Sequence, residues 1–387
     1  MSQSKIPEGW EEVAVGGVIT ENNKSKIQVG QANDTGKYKF FTSGEAVLKY
    51  DESLIDGENL FLATGGVANI KYHDGSCAYS TDTYSLKSLI NAKFLYYLLL
   101  SKIEKINYSL FEGTGLKHLQ KQEFKELKIS IPEDLKEQKK IATILQTIDQ
   151  TIDQTKKLIE KHKKMKEGLI LDLLYKGIDK NGDIRDRAEQ KFISTEIGFI
   201  PEDWKLSTVG QECEICNNLR KPISALEREK ISGDYPYYGP TGILDHINEF
   251  RVEGRFVLIG EDGDHFLKYR AQPMTILVNG KFNVNNHAHI LKGTKECLTE
   301  WIYFFFEHRD ITLYLTRQGA GRYKLNKESL MSLPIAIPSI PEQKIIIQKL
   351  ASFNKFLDKE STQLSKLQKM KSGLMQDLLT GKVRVTA

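Results

Sequence analysis

The chain has 387 residues, which is too long for one ordinary hydrophobic core, and its 40% hydrophobic content is sufficient for two folded domains. The formal net charge is only +4, so an argument for a polyanionic partner cannot use the total and depends on where the basic residues lie. Four cysteines are too few for a disulfide scaffold, and the longest apolar run, at 94–100, is too short to cross a membrane.

The first 134 residues predict a domain rich in β-strands. The chain starts with polar residues that do not resemble a signal peptide, so we expect a cytoplasmic protein with no membrane partner. After the segment Ile6-Pro7-Glu8-Gly9-Trp10, short β-like runs alternate with turn residues such as Gly65-Gly66. The runs are 38–42, 46–50, 59–64, 67–72 and 83–86, and a short buried helix is predicted at 94–105.

A glycine-containing loop and a long helix end this first half. The loop occupies Glu112–Leu119 and is followed by a strand at 128–132 that ends in proline. From 135 to 178, apolar residues recur at alternating steps of three and four, which is the heptad pattern of a coiled coil. At ~1.5 Å per residue, the helical part is about 50–60 Å long. The heptad positions are Ile141, Leu145, Ile148, Ile152, Ile159, Leu169 and Leu173.

The second half repeats this order of elements. Ile200-Pro201-Glu202-Asp203-Trp204 matches the opening of the first domain, and Gln318–Leu325 matches its glycine loop. A proline-ended strand and a second heptad helix, 339–381, follow. The helices match at an offset of 205 residues, at which every heptad position is again apolar and Met165–Leu174 resembles Met370–Leu379. The chain is therefore an internal duplication.

We expect an α+β protein with two β-rich globular domains separated by two long helices. Two narrow apolar stripes in one chain most simply pack on each other as a coiled coil. The alternative is that each helix packs on its own domain as an ordinary amphipathic helix. The predicted segments are a first domain at 1–134, a spacer helix at 135–178, a linker with the second domain at 179–338, and a second spacer helix at 339–381.

The glycine loops give little support for catalysis. Phe111–Gly115 looks like the loop with which methyltransferases hold S-adenosylmethionine, but its counterpart, Gly319–Gly321, has no phenylalanine beside it. The chain has no Pro-Pro pair, which the Asn/Asp-Pro-Pro-aromatic tetrad of an amino-methyltransferase requires, and no Gly-Lys-Ser/Thr triplet of a P-loop. We therefore interpret both loops as structural or DNA-facing and expect no ATP motor in the chain.

Two further groups of residues have a composition typical of metal sites. Cys213 and Cys216 have the spacing of zinc ligands but lack a second Cys/His pair at the usual distance, which favours two buried thiols. Acidic and histidine residues between 261 and 289 could form a metal-dependent hydrolase site. They have no counterpart in the first half, and Gly260–Asp264 is also typical of an ordinary acidic turn.

Basic and aromatic residues on the loops are the candidates for binding. Glycines let the backbone approach a phosphate and cations neutralise it, so two matched glycine loops favour contact with DNA. Each cluster taken alone is equally explained by a solvated surface. The candidate DNA-binding residues are Lys71, Tyr72, Thr114, Lys117, His118, Arg220, Lys221, Lys268, Tyr269, Arg270, Arg322, Tyr323 and Lys324.

Taken together, these motifs resemble the specificity subunit of a Type I restriction–modification system. The resemblance covers the whole chain and rests on the Ile-Pro-x-Gly/Asp-Trp segments, on Glu-Gln-Lys at 137–139 and 342–344, and on the Met-Lys-x-Gly-Leu-x-x-Asp-Leu-Leu helix ends. It implies a non-catalytic chain with two target recognition domains, each of which reads half of a split, asymmetric DNA site. It also implies that the two helices pack antiparallel, with pseudo-two-fold symmetry, as a spacer.

The resemblance further implies the partners. These are double-stranded DNA, two methylation subunits and the restriction subunits, with S-adenosylmethionine, ATP and Mg expected on the partner subunits and no cofactor on the chain itself. We expect base readout from the variable stretches within 38–91 and 214–292, and a separation of half-sites set by the helices. The alternatives are a coiled-coil scaffold with two protein-binding domains and a metal-dependent hydrolase centred on 261–289.

Overall fold

Two units make up the fold, and each combines a β-rich region with part of both long helices. The computed structural model describes residues 6–318 and 322–385, and for Gln318 and Arg322 it describes the backbone alone. The division is into unit 1, Met1–Leu158 with Glu360–Ala387, and unit 2, Ile159–Lys359. The chain therefore leaves unit 1 along the first long helix and returns to it along the second.

Unit 1 begins with short strands and three helices in the described residues. In chain order they are β1 (Trp10–Ala14), β2 (Ile19–Glu21), β3 (Tyr38–Phe41), β4 (Val47–Tyr50), β5 (Glu58–Ala63), β6 (Ile70–Asp74), β7 (Cys77–Tyr79), β8 (Thr83–Ser88), α1 (Ala92–Ser101), α2 (Ile103–Ser109), β9 (Phe111–Glu112), β10 (His118–Leu119), α3 (Lys121–Glu126) and β11 (Lys128–Pro132). The sequence did not predict β1, β2 or β7, it gave β9 and β10 only as part of the glycine loop, and it merged α1 and α2 into one helix.

The long helix α4 (Leu135–Tyr175) then passes into unit 2, and α9 (Ile340–Leu378) passes back. Between them lie β12 (Phe192–Thr195), β13 (Gly198–Pro201), β14 (Lys205–Thr208), α5 (Val209–Glu212), β15 (Cys213–Ile215), α6 (Ala225–Lys230), β16 (Ser232–Tyr238), β17 (Ile243–Ile247), β18 (Val252–Gly260), β19 (Thr275–Val284), β20 (Ala288–Gly293), α7 (Thr299–Phe306), β21 (Thr316–Gln318), β22 (Arg322–Lys324), α8 (Lys327–Ser332) and β23 (Pro334–Ile337). Both long helices lie within the segments predicted for them, 135–178 and 339–381.

The β-rich regions share one strand order although their central sequences hardly share a residue. Unit 1 has a sheet in the order β2-β8-β5-β6 and a second in the order β4-β3-β7, while unit 2 has a single sheet in the order β15-β20-β18-β19-β16-β17. The far end of β19 pairs parallel to β16, as β7 pairs parallel to β3. Hydrophobic side chains in matching strands therefore build the same frame from different residues.

In unit 1 the two long helices run antiparallel. Leu145 of α4 belongs to the buried cluster that contains Leu378, whereas Ile152, further along α4, packs with Leu367 near the middle of α9. The salt bridge between Lys371 Nζ and Asp149 Oδ1, 2.6 Å long, lies between these contacts. Residues later in α4 therefore contact residues earlier in α9.

Unit 2 contains the opposite halves of the same helices in the same arrangement. Leu173 near the end of α4 shares a buried cluster with Ile346 and Leu350 near the start of α9. Earlier in α4, the ring of His162 lies 4.9 Å from the ring of Phe356. The predicted α+β fold with antiparallel packing of the two repeated helices is thus confirmed, and both helices also pack on the β-rich regions.

A lysine in each long helix pairs with a carboxylate that also accepts a hydrogen bond from a tyrosine hydroxyl. In unit 1, Asp149 accepts a hydrogen bond of 2.9 Å from the hydroxyl of Tyr97 and pairs with Lys371. In unit 2, Glu307 accepts one of 3.0 Å from the hydroxyl of Tyr303 and pairs with Lys166 at 3.3 Å. The lysines match at the offset of 205 residues and the tyrosines at 206. The carboxylate, however, comes from α4 in unit 1 and from the residue after α7 in unit 2.

Lys166→Met is expected to destabilise the protein much more than Lys371→Met. Removing Lys166 leaves a carboxylate on Glu307 whose side chain is only 5% exposed, which costs on the order of 3–5 kcal/mol. The side chain of Asp149 is 32% exposed, and an exposed pair contributes about 0–1 kcal/mol. Calorimetric melting of the two variants measures the difference, and equal losses of stability would contradict this account.

Each long helix also has a buried glutamate near its start that an arginine and a backbone N–H hold. Glu342 accepts hydrogen bonds from Arg185 Nη2 at 3.0 Å, from Trp204 Nε1 at 3.1 Å and from the backbone N–H of Ile178 at 2.9 Å. Burial raises the pKa of this carboxyl despite the nearby guanidinium. We name these residues the helix clasp of unit 2.

Unit 1 has an equivalent clasp built from the end of the chain. Glu137 accepts two hydrogen bonds of 2.8 Å from Arg384 and a longer one from the backbone N–H of Val385. The Arg384 guanidinium holds the pKa of the Glu137 carboxyl below its usual range. Arg384 also donates to the carbonyl oxygen of Glu8, two residues before the buried Trp10 that matches Trp204. Both clasps thus join the start of one helix to the segment that follows the other.

Candidate nucleic-acid interface

The first glycine loop forms a hairpin that docks on the end of a central strand. β9 and β10 pair antiparallel around residues 113–117. The backbone N–H of Leu119 donates to the carbonyl of Thr64 at 3.0 Å, and that of Gly66 donates to the carbonyl of Lys117 at 2.9 Å. Gly66 has a φ of +81°, which favours glycine, so the turn after β5 needs this residue to receive the hairpin.

The second glycine loop makes the same two hydrogen bonds in unit 2. The N–H of Leu325 donates to the carbonyl of Glu261 at 2.8 Å, and the N–H of Gly263 donates to the carbonyl of Tyr323 at 3.1 Å. Gly263 has a φ of +133°. The loop itself, 319–321, and the side chain of Arg322 lie outside the described residues. The hairpins are therefore one structural element present in both units.

Further loops meet each hairpin at the same end of the sheet. In unit 1, Thr64 donates from Oγ1 to the carbonyl of Asp82 at 2.5 Å, and its backbone N–H donates to Ser43 Oγ at 3.0 Å. In unit 2, the N–H of Glu261 donates to the carbonyl of His287 at 2.7 Å. We define edge 1 as residues 42–44, 64–67, 80–83 and 113–118, and edge 2 as residues 217–221, 261–264, 285–288 and 322–324.

Thr64 Oγ1 and N–H are both donors, so edge 1 is held together by backbone and hydroxyl groups. Its exposed cations are Lys117 and His118, which lie with Thr114 on the hairpin. The ammonium of Lys71 instead donates to the carbonyls of Thr42 and Gly44, and burial lowers its pKa to about 8. The structure thus gives Lys71 an internal role in fixing the 42–44 loop.

Carboxylates hold the cations of edge 2. Arg220 Nη1 lies 2.6 Å from an oxygen of Glu261, and Lys324 Nζ lies 3.4 Å from the other oxygen of the same carboxylate. His287 Nδ1 lies 2.5 Å from Asp262 Oδ2, and Lys221 pairs with Glu249. These pairs fix the directions of the side chains, and they reduce the positive charge that edge 2 presents to a phosphate.

The remaining candidates lie apart from the edges. Tyr72, on β6, donates from its hydroxyl to Glu58, and burial raises its pKa. Tyr269 packs against the core of unit 2, and its carbonyl accepts a bond of 2.7 Å from His308. Tyr269 and Arg270 line a groove of about 460 Å³ along α4. Lys268 is exposed in the segment before Tyr269. The role of every candidate in binding stays a prediction. The candidates that lie on the edges are Thr114, Lys117, His118, Arg220, Lys221, Tyr323 and Lys324.

The groups that suggested metal chemistry have other partners. Cys213 and Cys216 are buried free thiols. His289 is buried between the carbonyl of Leu325, at 2.7 Å, and the amide of Asn217, at 2.8 Å. Among the described residues, no group of three His, Cys, Asp or Glu side chains is arranged to hold a metal ion. Over the same residues, no helix is both long and apolar enough to cross a membrane.

The family of the chain follows from comparison with known proteins. The model of the Type I restriction modification DNA specificity domain matches residues 7–163 and 201–369, once in each half of the duplication. The chain belongs to this family. The predicted resemblance to a specificity subunit, a non-catalytic component of its system, is confirmed by these two matches.

Relatives and solved structures agree with this family over the whole chain. The MjaVIII specificity subunit of Methanocaldococcus jannaschii is 24% identical over 98% of this chain and 94% of its own length, and the EcoDI specificity subunit of Escherichia coli is 22% identical over 98% and 89%. A specificity subunit of Haemophilus influenzae is 34% identical over 38% of this chain and 36% of its own length. The fold is that of the Type-I restriction-modification S subunit from M. genitalium, with a TM-score of 0.67, 18% identity and 97% coverage of both chains.

Two functional candidates on the edges are absent from the residues predicted from sequence. Asp82 and Asn286 lie in loops that connect matching strands, β7 to β8 and β19 to β20. Both side chains are exposed, and neither has an intramolecular partner among the described residues. The sequence placed them inside its variable stretches but gave no reason to select them, because a two-residue loop has neither periodicity nor motif.

Proposed function

We propose that this specificity subunit binds a bipartite, asymmetric site on double-stranded DNA, with edge 1 reading one half-site and edge 2 the other. The observation that carries the proposal is that the same hairpin and loops form both edges while the exposed side chains differ. A duplicated frame supports two readers, and different side chains support two unrelated half-sites. Lys117 and His118 in edge 1, and Arg220, Lys221, Tyr323 and Lys324 in edge 2, would position the phosphate backbone.

The two long helices are the proposed spacer and the proposed docking surface for two methylation subunits, to which restriction subunits add. Support comes from their continuity through both units and from their antiparallel packing in each. S-adenosylmethionine, ATP and Mg would be bound by these partner subunits, with none on the chain itself, and the assembly would act in the cytoplasm on DNA.

Selection from randomised duplexes tests this function directly. The chain is purified with its methylation subunits, bound duplexes are recovered and the enriched sequences are read. We expect two different half-sites separated by an unspecified gap. A single contiguous or palindromic site would contradict the proposal, and a complex that binds no duplex at all would favour a protein-binding scaffold instead.

Lys117→Ala should weaken binding to all duplexes about equally. Lys117 is exposed on the hairpin and has no side-chain partner among the described residues, so it is free to neutralise a phosphate. Losing one phosphate contact reduces the slope of log K against log salt by about 1. A salt titration of the complex measures this slope. Lys128→Ala, exposed on β11 outside edge 1, is the matched control and should leave the slope unchanged.

A further inference from the structure

The loops 80–83 and 285–288 are equivalent parts of the two edges. Each begins with the same backbone bond of 2.9 Å, from Ser80 to Phe41 in unit 1 and from Asn285 to Tyr238 in unit 2. Each ends where the next strand pairs with the central strand, since Thr83 lies opposite Ala63 as Ala288 lies opposite Gly260. Two residues lie between these fixed points in each unit, Thr81-Asp82 and Asn286-His287, so Thr81 matches Asn286 in position and Asp82 matches His287.

Polar contacts fix the backbone of both loops. In unit 1, the buried hydroxyls of Ser80 and Thr83 are 2.8 Å apart, and Thr64 Oγ1 holds the carbonyl of Asp82. In unit 2, the side chain of the buried Asn285 accepts a bond of 2.9 Å from the N–H of His287. The loops are therefore rigid supports for whatever their exposed side chains contact.

In the 285–288 loop of edge 2, Asn286 is the exposed side chain without an intramolecular partner among the described residues. The backbone carbonyl of Asn286 accepts a hydrogen bond of 3.1 Å from Arg220 Nη1, and Arg220 forms an ion pair with Glu261. The neighbouring His287 is held by Asp262. The amide of Asn286 has no such partner in the described part of the chain, and it lines a polar cleft of about 310 Å³ together with Arg228.

In edge 1, the exposed side chain of the 80–83 loop is a carboxylate at the next position, where edge 2 has His287. The side chain of Asp82 is exposed, and no cation pairs with it among the described residues. Its backbone carbonyl accepts a bond from Thr64 Oγ1, and the carbonyl of Thr64 accepts one from the N–H of Leu119 in the hairpin. A carboxylate repels phosphates. Asp82 therefore favours DNA binding only where its carboxylate faces a hydrogen-bond donor on the DNA. The major groove exposes two amino donors, N6 of adenine and N4 of cytosine. Adenine places the N7 acceptor beside its donor, and a carboxylate cannot donate to N7, so this group suits cytosine.

We propose that Asn286 and Asp82 are base-reading residues, with the Asn286 amide bound to an adenine of one half-site and the Asp82 carboxylate bound to a cytosine of the other. An amide offers a donor and an acceptor, which match N7 and N6 of adenine, whereas a carboxylate only accepts. This inference rests on the proposed function and adds the chemistry by which each edge selects a base.

The test is selection from randomised duplexes with the complete methylation complex, comparing the wild-type chain with Asn286→Ala and Asp82→Ala. We expect Asn286→Ala to lose the preference for adenine at one position of one half-site, by about 5- to 150-fold, with the other half-site unchanged. Asp82→Ala should lose a preference for cytosine in the other half-site. Asn279→Ala and Asp74→Ala, exposed on β19 and β6 outside the edges, are the matched controls and should retain the wild-type site.

Asp82→Asn makes the test specific for base chemistry. The variant keeps the size of the side chain and adds a donor, so the selected base should change from cytosine towards adenine at the same position. Variants that bind the wild-type half-sites with undiminished preference would overturn the inference, as would loss of preference at a base other than those named. A wild-type complex without two half-sites would instead overturn the proposed function, so the two failures are distinguishable.

Discussion

Glu342→Ala is expected to destabilise unit 2 by about 3–5 kcal/mol, because it removes the acceptor of a buried ion pair. The carboxylate is 8% exposed and accepts bonds from Arg185, Trp204 and the N–H of Ile178. Alanine leaves the indole and the backbone N–H without an acceptor in a buried site, and each unsatisfied donor costs about 1–3 kcal/mol. Arg185 keeps Asp203, which limits the loss to this range.

The tryptophans of the chain make this loss measurable in one unit. Of the three, Trp10 lies in unit 1, and Trp204 and Trp301 lie in unit 2. In a Trp10→Phe background, urea unfolding followed by fluorescence therefore reports unit 2. Asp203→Asn is the matched control: its side chain is 63% exposed and pairs with the same arginine, so its removal should cost about 0–1 kcal/mol. Equal effects of the two substitutions would contradict a buried clasp.

The clasps mark one boundary of what the sequence could predict. Heptad periodicity is a local property of the chain, and it gave both helices and their repeat. The partner of Glu137 is Arg384, which is 247 residues away, and no spacing rule connects two such positions. The sequence therefore showed Glu137 only as part of a repeated Glu-Gln-Lys segment, whereas the structure gives it a long-range partner.

The groups formed by Lys371, Asp149 and Tyr97 and by Lys166, Glu307 and Tyr303 show the same limit of sequence-based prediction within the repeat itself. Lys166 and Lys371 occupy the same place in the matching segments Met165–Leu174 and Met370–Leu379, so their correspondence was visible in the sequence. The carboxylate that pairs with each lysine lies on a different element in each unit: Asp149 is on α4, and Glu307 follows α7. A residue-by-residue comparison of the two halves therefore could not match the two carboxylates. Only the folded chain shows that the same charge is neutralised in both units.

The edges were predictable in position but not in composition. The sequence predicted a glycine loop at matching places in the two halves, and the strands on either side of each loop pair as a hairpin. Which cations remain free depends on carboxylates brought in from other strands, as Glu261 is to Arg220, and the sequence treated all basic residues alike. The predicted domain boundaries, 1–134 and 179–338, stay predictions, since each unit of the fold also includes halves of both helices.

Lengthening both helices by one heptad is expected to widen the gap between half-sites by about three base pairs and leave the half-sites unchanged. The insertions are placed after Leu158 in α4 and after Lys359 in α9, where the chain passes between units, so every contact within a unit is kept. Seven residues add about 10 Å at ~1.5 Å per residue, and a base pair occupies about 3.4 Å.

The same insertion should lower affinity even for the duplex with the best gap. One heptad turns the attached unit by only about 20° around the helix axis, whereas three base pairs turn the duplex by roughly 100°. The two edges then meet grooves that face different directions, and the DNA must twist to restore contact. Selection from randomised duplexes gives both the new gap and the half-sites. Because the edges lie wholly within their units, altered half-sites would mean that the helices do more than separate two independent readers.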